Sequence, residues 1–468
     1  MSERDFYLDR SEVERLVERV VRTAQDHGAD EAAACLVAGR SSLARFAGGR
    51  VIQNLERHSR RLSLAVAVGK HESYVSRNIT GLDDIEALVR SCVDVARISP
   101  ENEEHLDPVS GDEPLRGEGH DSRVATMSPA DKAGTIRSVL DLGHRRNLTV
   151  SGTYRDDDEI EAVANSAGCL ASYAHTHLGF SVTARTEDGT GSAREENFGN
   201  YLEDVSPVPL AESAMDRAER SRDPQPIEPG EYTVILSPAA VASYLFFLVT
   251  EMDARRAQTG MSAFAGPTSG STRIGESMFD ESVTIERCVT SPGLAVKPYG
   301  PASSLEGSEG QGSPLDLFSL GLPVHESAMV RDGILQELVH SYVWAMKQGQ
   351  TPTGFAGAFR MRGEDRSFED LIASTKRGIL VSNFWYIRMV DRNELTLTGL
   401  TRDGTFLVEE GEIRHPVQNL RFNESPLVSL KNIETLSRPQ RRDQWGVRFL
   451  VPGMVTRNFT FSGTSDAV

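Results

Sequence analysis

The chain has 468 residues, 39% hydrophobic and 25% charged, an ordinary composition for a folded protein and too long for a single core, so two domains are expected. Its 68 acidic residues outnumber 50 basic ones, and the net charge of −18 argues against nucleic acid or an anionic membrane as partner. The four cysteines, Cys35, Cys92, Cys169 and Cys288, form no CxxC pair, and no basic then apolar leader opens the chain, so reduced thiols and a cytoplasmic location are the expectation.

Ser11-Glu-Val-Glu14 fits a capping box, and Val13, Leu16, Val17, Val20 and Val21 share one face, which predicts an amphipathic helix. Residues 32–38, 42–47, 51–54 and 61–68 read as antiparallel strands, with Gly48-Gly49 as a turn. A helical stripe returns over 83–98. Residues 101–122, rich in acid, Pro and Gly, read as a solvated loop. A helix over 129–145 leads into strands at 148–155, 158–165, 171–185 and 194–201. The acidic run Arg155-Asp156-Asp157-Asp158-Glu159 is expected to fall in a solvated hairpin turn between the first two. A helix over 210–222 ends in Asp223-Pro-Gln-Pro-Ile-Glu-Pro-Gly230, whose prolines mark a boundary between domains 1–225 and 226–468.

In the second domain a strand, Tyr232 to Leu236, meets Ser237 and Pro238, a helix N-cap followed by proline at the first helical position. The helix that follows is apolar almost all round from Val241 to Val249, hence buried, and then turns charged at Thr250-Glu-Met-Asp-Ala-Arg-Arg256. Beyond it come a Gly-rich loop at Glu306 to Gly312, a strand-flanked turn at Val330 to Leu335, helices over 335–347 and 367–374, and strands at 378–383, 385–390, 394–400, 404–409 and 412–420. The expected fold class is α+β, with N-terminal helices packed on an antiparallel sheet and a β-rich C-terminal domain around a buried helix.

Metal and nucleophile motifs are sparse. His71-Glu72 and His325-Glu326 begin like HExxH, but neither has the second histidine. His175 and His177, two apart on a strand, share a face that could hold a metal; without a third ligand, a hydrogen-bonded surface pair is the preferred reading. Gly307-Ser308-Glu-Gly310 only loosely resembles a nucleophile elbow, and no phosphate-binding glycine loop follows a strand.

Several short pieces in order do carry a resemblance: Ser42-Leu-Ala-Arg-Phe-Ala with Gln53-Asn54, Leu236-Ser-Pro-Ala-Ala240, Gly260-Met-Ser-Ala-Phe, Ile274-Gly-Glu, Pro352-Thr-Gly354, Gly399-Leu-Thr-Arg-Asp-Gly404, Gly411-Glu-Ile413 and Arg421-Phe-Asn-Glu-Ser425. Over nearly its whole length the chain resembles the TldD/PmbA family of peptidases. The resemblance implies a heterodimer in which one subunit holds zinc through HExxxH and a distant cysteine, and the other lacks those ligands.

Here the HExxxH register falls on Thr250 to Arg255, with Glu251 at the general-base position. Threonine is a poor zinc ligand, and arginine, always protonated, repels a dication. No cysteine follows Cys288. The resemblance therefore implies a metal-free, non-catalytic subunit that binds peptide beside an HExxxH-bearing TldD-like partner, with zinc in that partner and no cofactor in this chain. Peptide or partner contacts are expected at Arg255, Arg256, Thr353 and Gly354, although Arg255 and Arg256 are read slightly more readily as caps on the helix C-terminus. The alternatives are a stand-alone hydrolase or natural-product biosynthetic enzyme with a non-standard site, and a homodimeric peptide-binding protein.

Overall fold

Asp9, not Ser11, caps the first helix: its carboxylate accepts from the Glu12 amide while Glu12 reaches back to the Asp9 amide. Glu14 is instead buried, accepting from Arg116 and Ser172. The structure is a computed structural model that describes residues 9–465 except 112, 290, 292–293, 301–313 and 355. The expected Gly-rich loop at Glu306 to Gly312, with Ser308, lies outside the described residues.

The N-terminal half runs α1 (Arg10–Asp26), β1 (Glu31–Ala47), β2 (Arg50–Val68), β3 (His71–Asn78), α2 (Leu82–Ala96), β4 (Leu115–Gly119), α3 (Ser122–Ala125), α4 (Pro129–Arg145), β5 (Leu148–Asn165), β6 (Leu170–Thr186), β7 (Ser192–Gly199) and α5 (Pro207–Arg220). The strands form one sheet in the order β3-β2-β1-β5-β6-β4, with β7 on the rest of β6. One face is covered by helices. Val13, Val17 and Val20 of α1 and Val89 of α2 pack on Ala34, Leu36, Leu62 and Leu64, and Ile136, Val139, Ala214 and Met215 of α4 and α5 pack on Phe46, Phe180 and Val182. The opposite face carries Ala33, Cys35, Val163 and Tyr173, packed against Tyr299 and Phe318 of the second half.

Two further expectations fail in this half. The acidic run is not a turn, because β5 passes straight through it. Asp156 is fully buried, ion-paired with Lys132 and Arg40, and Lys132 also donates to Ser42. A buried carboxylate is tolerated only when paired, and those partners stand far away in sequence. The 101–122 segment is not merely a solvated loop either: β4 within it pairs parallel to β6, and the His105 side chain is only 9% exposed.

The C-terminal half runs β8 (Gly230–Leu236), α6 (Pro238–Glu251), α7 (Ala254–Gln258), β9 (Ile285–Arg287), β10 (Tyr299–Gly300), α8 (Pro314–Ser319), β11 (Leu322–Pro323), β12 (Ser327–Arg331), β13 (Ile334–Leu335), α9 (Tyr342–Gln348), β14 (Ala358–Met361), α10 (Phe368–Ser374), β15 (Arg377–Asp391), β16 (Thr396–Glu409), β17 (Glu412–Pro416), β18 (Asn419–Glu424), α11 (Pro426–Ser429), β19 (Ile433–Leu436), β20 (Gln440–Gln444), β21 (Val447–Val451) and β22 (Met454–Ser465). The pairs expected at 378–390 and 394–409 are each one long, bulged strand, and the helix expected from 335 begins only at Tyr342.

The strand path β15-β8-β22-β18-β16 closes on itself because β15 also pairs with β16, which removes exposed edges. Ser237 caps α6 by accepting from the Ala240 amide, and Pro238 occupies the first helical position, as the sequence predicts. Tyr244 of that helix sits among Phe384, Phe422 and Phe459, with ring centroids 5.5, 6.1 and 6.2 Å away. A second sheet, β13-β12-β9-β14-β21-β20, packs beside it. Among the described residues no helix is long and apolar enough to cross a membrane.

Candidate functional site

In the N-terminal sheet β5 and β6 are antiparallel, with Asp157 opposite His177 and Glu159 opposite His175. The two-residue period puts all four side chains on one face. That face looks onto a cavity of about 1000 Å³ between the two halves of the chain. Its far wall comprises Phe384 to Arg388 of β15, Arg442 to Gly446 on β20 and its turn, and Ala239 and Ser243 of α6.

The histidines are therefore not a hydrogen-bonded surface pair. His175 stacks on Tyr173 at 5.0 Å and His177 on Phe198 at 5.6 Å, and His175 Nδ1 is buried without a partner. Burial, aided by the charge of Arg448, pushes both imidazoles down to about 4, so they are neutral at pH 7. Burial pushes Asp443 up to about 6. Asp157 is paired with Arg155 through one oxygen at 2.7 Å, while its other oxygen is buried and unpartnered.

Aromatic side chains line the mouth. Trp445 meets Phe246 edge-on at 4.8 Å, Arg402 lies 4.4 Å over Trp385, and Arg388 lies 4.2 Å over Tyr386. Tyr386 and Trp445 adopt φ of 56° and 49°, a left-handed conformation costly for bulky residues; Trp445 takes it in the two-residue turn between β20 and β21, and Tyr386 where β15 bulges against β16. Two strand edges flank the space: β20 ends its sheet, and β7 pairs on one side only, with β6. Open main-chain edges, aromatic faces and charges of both signs suit an extended peptide.

The residues expected from the sequence lie elsewhere. The helix α6 stops at Glu251, and Asp253 caps the separate short helix α7, so Thr250 and Arg255 stand on either side of a break. Thr250 donates to the Phe247 carbonyl within its own helix. Glu251, 5% exposed, accepts from Arg256 at 3.0 Å and from Arg392. Arg255 pairs with Glu104 at 3.0 Å and lies 5.4 Å over Trp344, so neither arginine caps α6. Thr353 exchanges hydrogen bonds with the His340 backbone, and the Gly354 carbonyl accepts from Arg287. None of these six lines the cavity. The H-x-H spacing at 175 and 177 was the sequence signal for the site. The opposing carboxylates and the aromatic rim had none, because they depend on strand register and on a hairpin from the other half.

An α+β protein in two halves, with a peptide-sized cavity between them, is the class that fold and site define. Residues 229–463 match the PmbA/TldA metallopeptidase C-terminal domain and residues 123–222 its central domain. The chain belongs to the TldD/PmbA family. It is 24% identical over 332 residues to a metalloprotease of Methanothermobacter thermautotrophicus, covering 66% of this chain and 64% of that protein. It is 21% identical over 367 residues to a metalloprotease of Synechocystis, covering 73% of this chain and 71% of that one. The chain thus spans about two thirds of the length of these relatives. The crystal structure of TldE from Thermococcus kodakarensis has the same fold, with a TM-score of 0.81 at 16% identity over 95% of this chain and 99% of that one.

Zinc of the kind implied by the family does not fit Thr250, Glu251 and Arg255. The carboxylate is held by two guanidinium groups, the arginine is a fixed cation, and no histidine lies between His177 and His325.

Proposed function

We propose that this chain is the metal-free subunit of a two-subunit peptidase, holding an extended peptide in the cavity between its halves while a zinc-bearing relative cleaves it. The observation that carries this reading is the occupied state of Glu251: the carboxylate at the general-base position is bound by Arg256 and Arg392. A base in that state has no metal-activated water to deprotonate. The cavity supplies the peptide site, with main-chain pairing along β7 or β20 and side chains gripped by Trp385, Tyr386 and Trp445. Tolerance for varied sequence follows from main-chain recognition.

The test is co-expression with an HExxxH-bearing family member from the same organism. Zinc content and cleavage of unfolded peptides are then measured for each chain and for the pair. The reading predicts a stable complex whose activity needs the histidines of the relative only. Stoichiometric zinc at α6, or peptide cleavage by the isolated chain, overturns it in favour of a stand-alone hydrolase. Peptide binding by a self-paired chain that never joins a relative favours a homodimeric binding protein.

A further inference from the structure

Away from the cavity, Glu31 opens β1 and Glu72 lies in β3, each opposite Ala67 of the intervening β2, and His105 and Asp107 lie in the segment after α2. One ligand atom from each of Glu31, His105 and Asp107 falls within 4.8 Å of the others. We propose that these three residues form a binding site for a divalent transition-metal ion, oriented by Glu72 and separate from the abandoned zinc motif.

The argument starts from the imidazole. His105 Nδ1 is 2.5 Å from Glu72 Oε1, and Glu72 is itself fixed by the Asn102 amide at 2.9 Å. The carboxylate on Nδ1 orients the ring, the arrangement usual behind a metal-ligating histidine, and turns Nε2 outward. Nε2 lies 3.1 Å from Glu31 Oε2, a buried oxygen with no hydrogen-bond partner among the described residues. A metal ion can bridge the two atoms in place of a second ring proton. Metal–ligand bonds of about 2.1 Å to two atoms 3.1 Å apart subtend roughly 95°, an angle that tetrahedral or octahedral ions accept.

Asp107 supplies the third ligand, a carboxylate oxygen within 4.8 Å of the ligand atoms of both Glu31 and His105. The shell is dry on one side, where Phe318 of α8 meets the His105 ring edge-on at 6.1 Å. One imidazole and two carboxylates suit Zn²⁺ or Mn²⁺ better than Ca²⁺, which takes oxygen alone.

The position gives the ion a task. The same segment carries Glu104, which pairs with Arg255 of α7 and with Lys347 of α9, and the Asp107 carbonyl accepts from Tyr342 at 2.9 Å. An ion on His105 and Asp107 therefore fastens the strap that joins the two halves.

The full-length chain, stripped with EDTA, is titrated with Zn²⁺, Mn²⁺ and Ca²⁺ by calorimetry and elemental analysis, with hydrogen exchange followed over residues 101–109. One equivalent of Zn²⁺ or Mn²⁺ is expected, with slowed exchange in the strap. Glu72→Gln should weaken binding by about tenfold or more, and His105→Ala should abolish it. Asp107→Asn, at an exposed residue where folding is not at stake, should also weaken it and decides the matter if His105→Ala misfolds. Absence of saturable binding overturns the proposal, as does binding that is unchanged in Asp107→Asn or that prefers Ca²⁺. None of these outcomes depends on peptidase activity.

Discussion

Glu104 and Arg255 meet across the two halves of the chain, Arg255 Nη2 donating to Glu104 Oε1 at 3.0 Å. The contact joins the segment after α2 to the short helix α7. Both side chains are more than a third exposed, so the pair is weak in stability terms. Glu104→Gln should cost no more than about 1 kcal/mol in urea unfolding, while hydrogen exchange over residues 101–109 and 254–258 accelerates. Unchanged exchange would show that the pair does not hold the halves together.

Asp156 behaves differently because it is fully buried. Asp156→Ala leaves Lys132 and Arg40 without their shared ion-pair partner in the core and should cost about 3–5 kcal/mol in urea unfolding. Replacing all three charges, Arg40→Leu and Lys132→Met with Asp156→Leu, should recover much of that loss, since a well-packed apolar cluster leaves no buried charge unpaired. A triple mutant no more stable than Asp156→Ala would count against this account.

The cavity acid Asp443 sets a pH signature. Its ordinary value is 3.8 and burial raises it to about 6, so the neutral acid is the form the fold prefers. The stability it contributes is fully present below about pH 3.8 and is lost as pH rises through about 6. Asp443→Asn should remove this slope, seen as a melting temperature that converges on wild type at acid pH and exceeds it above pH 6. A constant difference across pH 4–7 would contradict the assignment.

Tyr386, at φ 56°, is strained and 65% exposed. Tyr386→Asn, which tolerates the left-handed region, should leave stability unchanged or raise it by up to about 1 kcal/mol. Peptide affinity, measured by fluorescence anisotropy, should fall several-fold. Parallel losses of stability and affinity would assign the ring to packing instead.

Much of this architecture is legible in local sequence. The Ser237-Pro238 start of α6, the apolar run behind it and the Gly48-Gly49 turn, with φ of 56° and 76°, follow from short-range rules. The break after Glu251 also had a local sign, since Asp253 before Ala254-Arg-Arg is an N-cap pattern. What stayed hidden depends on distance along the chain. An aspartate run is normally solvated, and only Lys132 and Arg40, brought over from α4 and β1, make it a strand interior. Likewise Glu72 and His105 look unrelated until β3 and the strap lie side by side.

The uninterrupted course of β5 gives it the role of a reading frame. Even-numbered residues such as Val150, Tyr154 and Asp156 face the helices, while Arg155, Asp157 and Glu159 face the cavity. Because the alternation is strict, one residue inserted or deleted upstream of Asp156 would exchange the two faces. The buried Lys132–Asp156 pair penalises any such slip, since a misframed strand would bury an unpaired lysine. An ion pair on the side away from the cavity thus keeps the composition of the cavity-facing wall in phase.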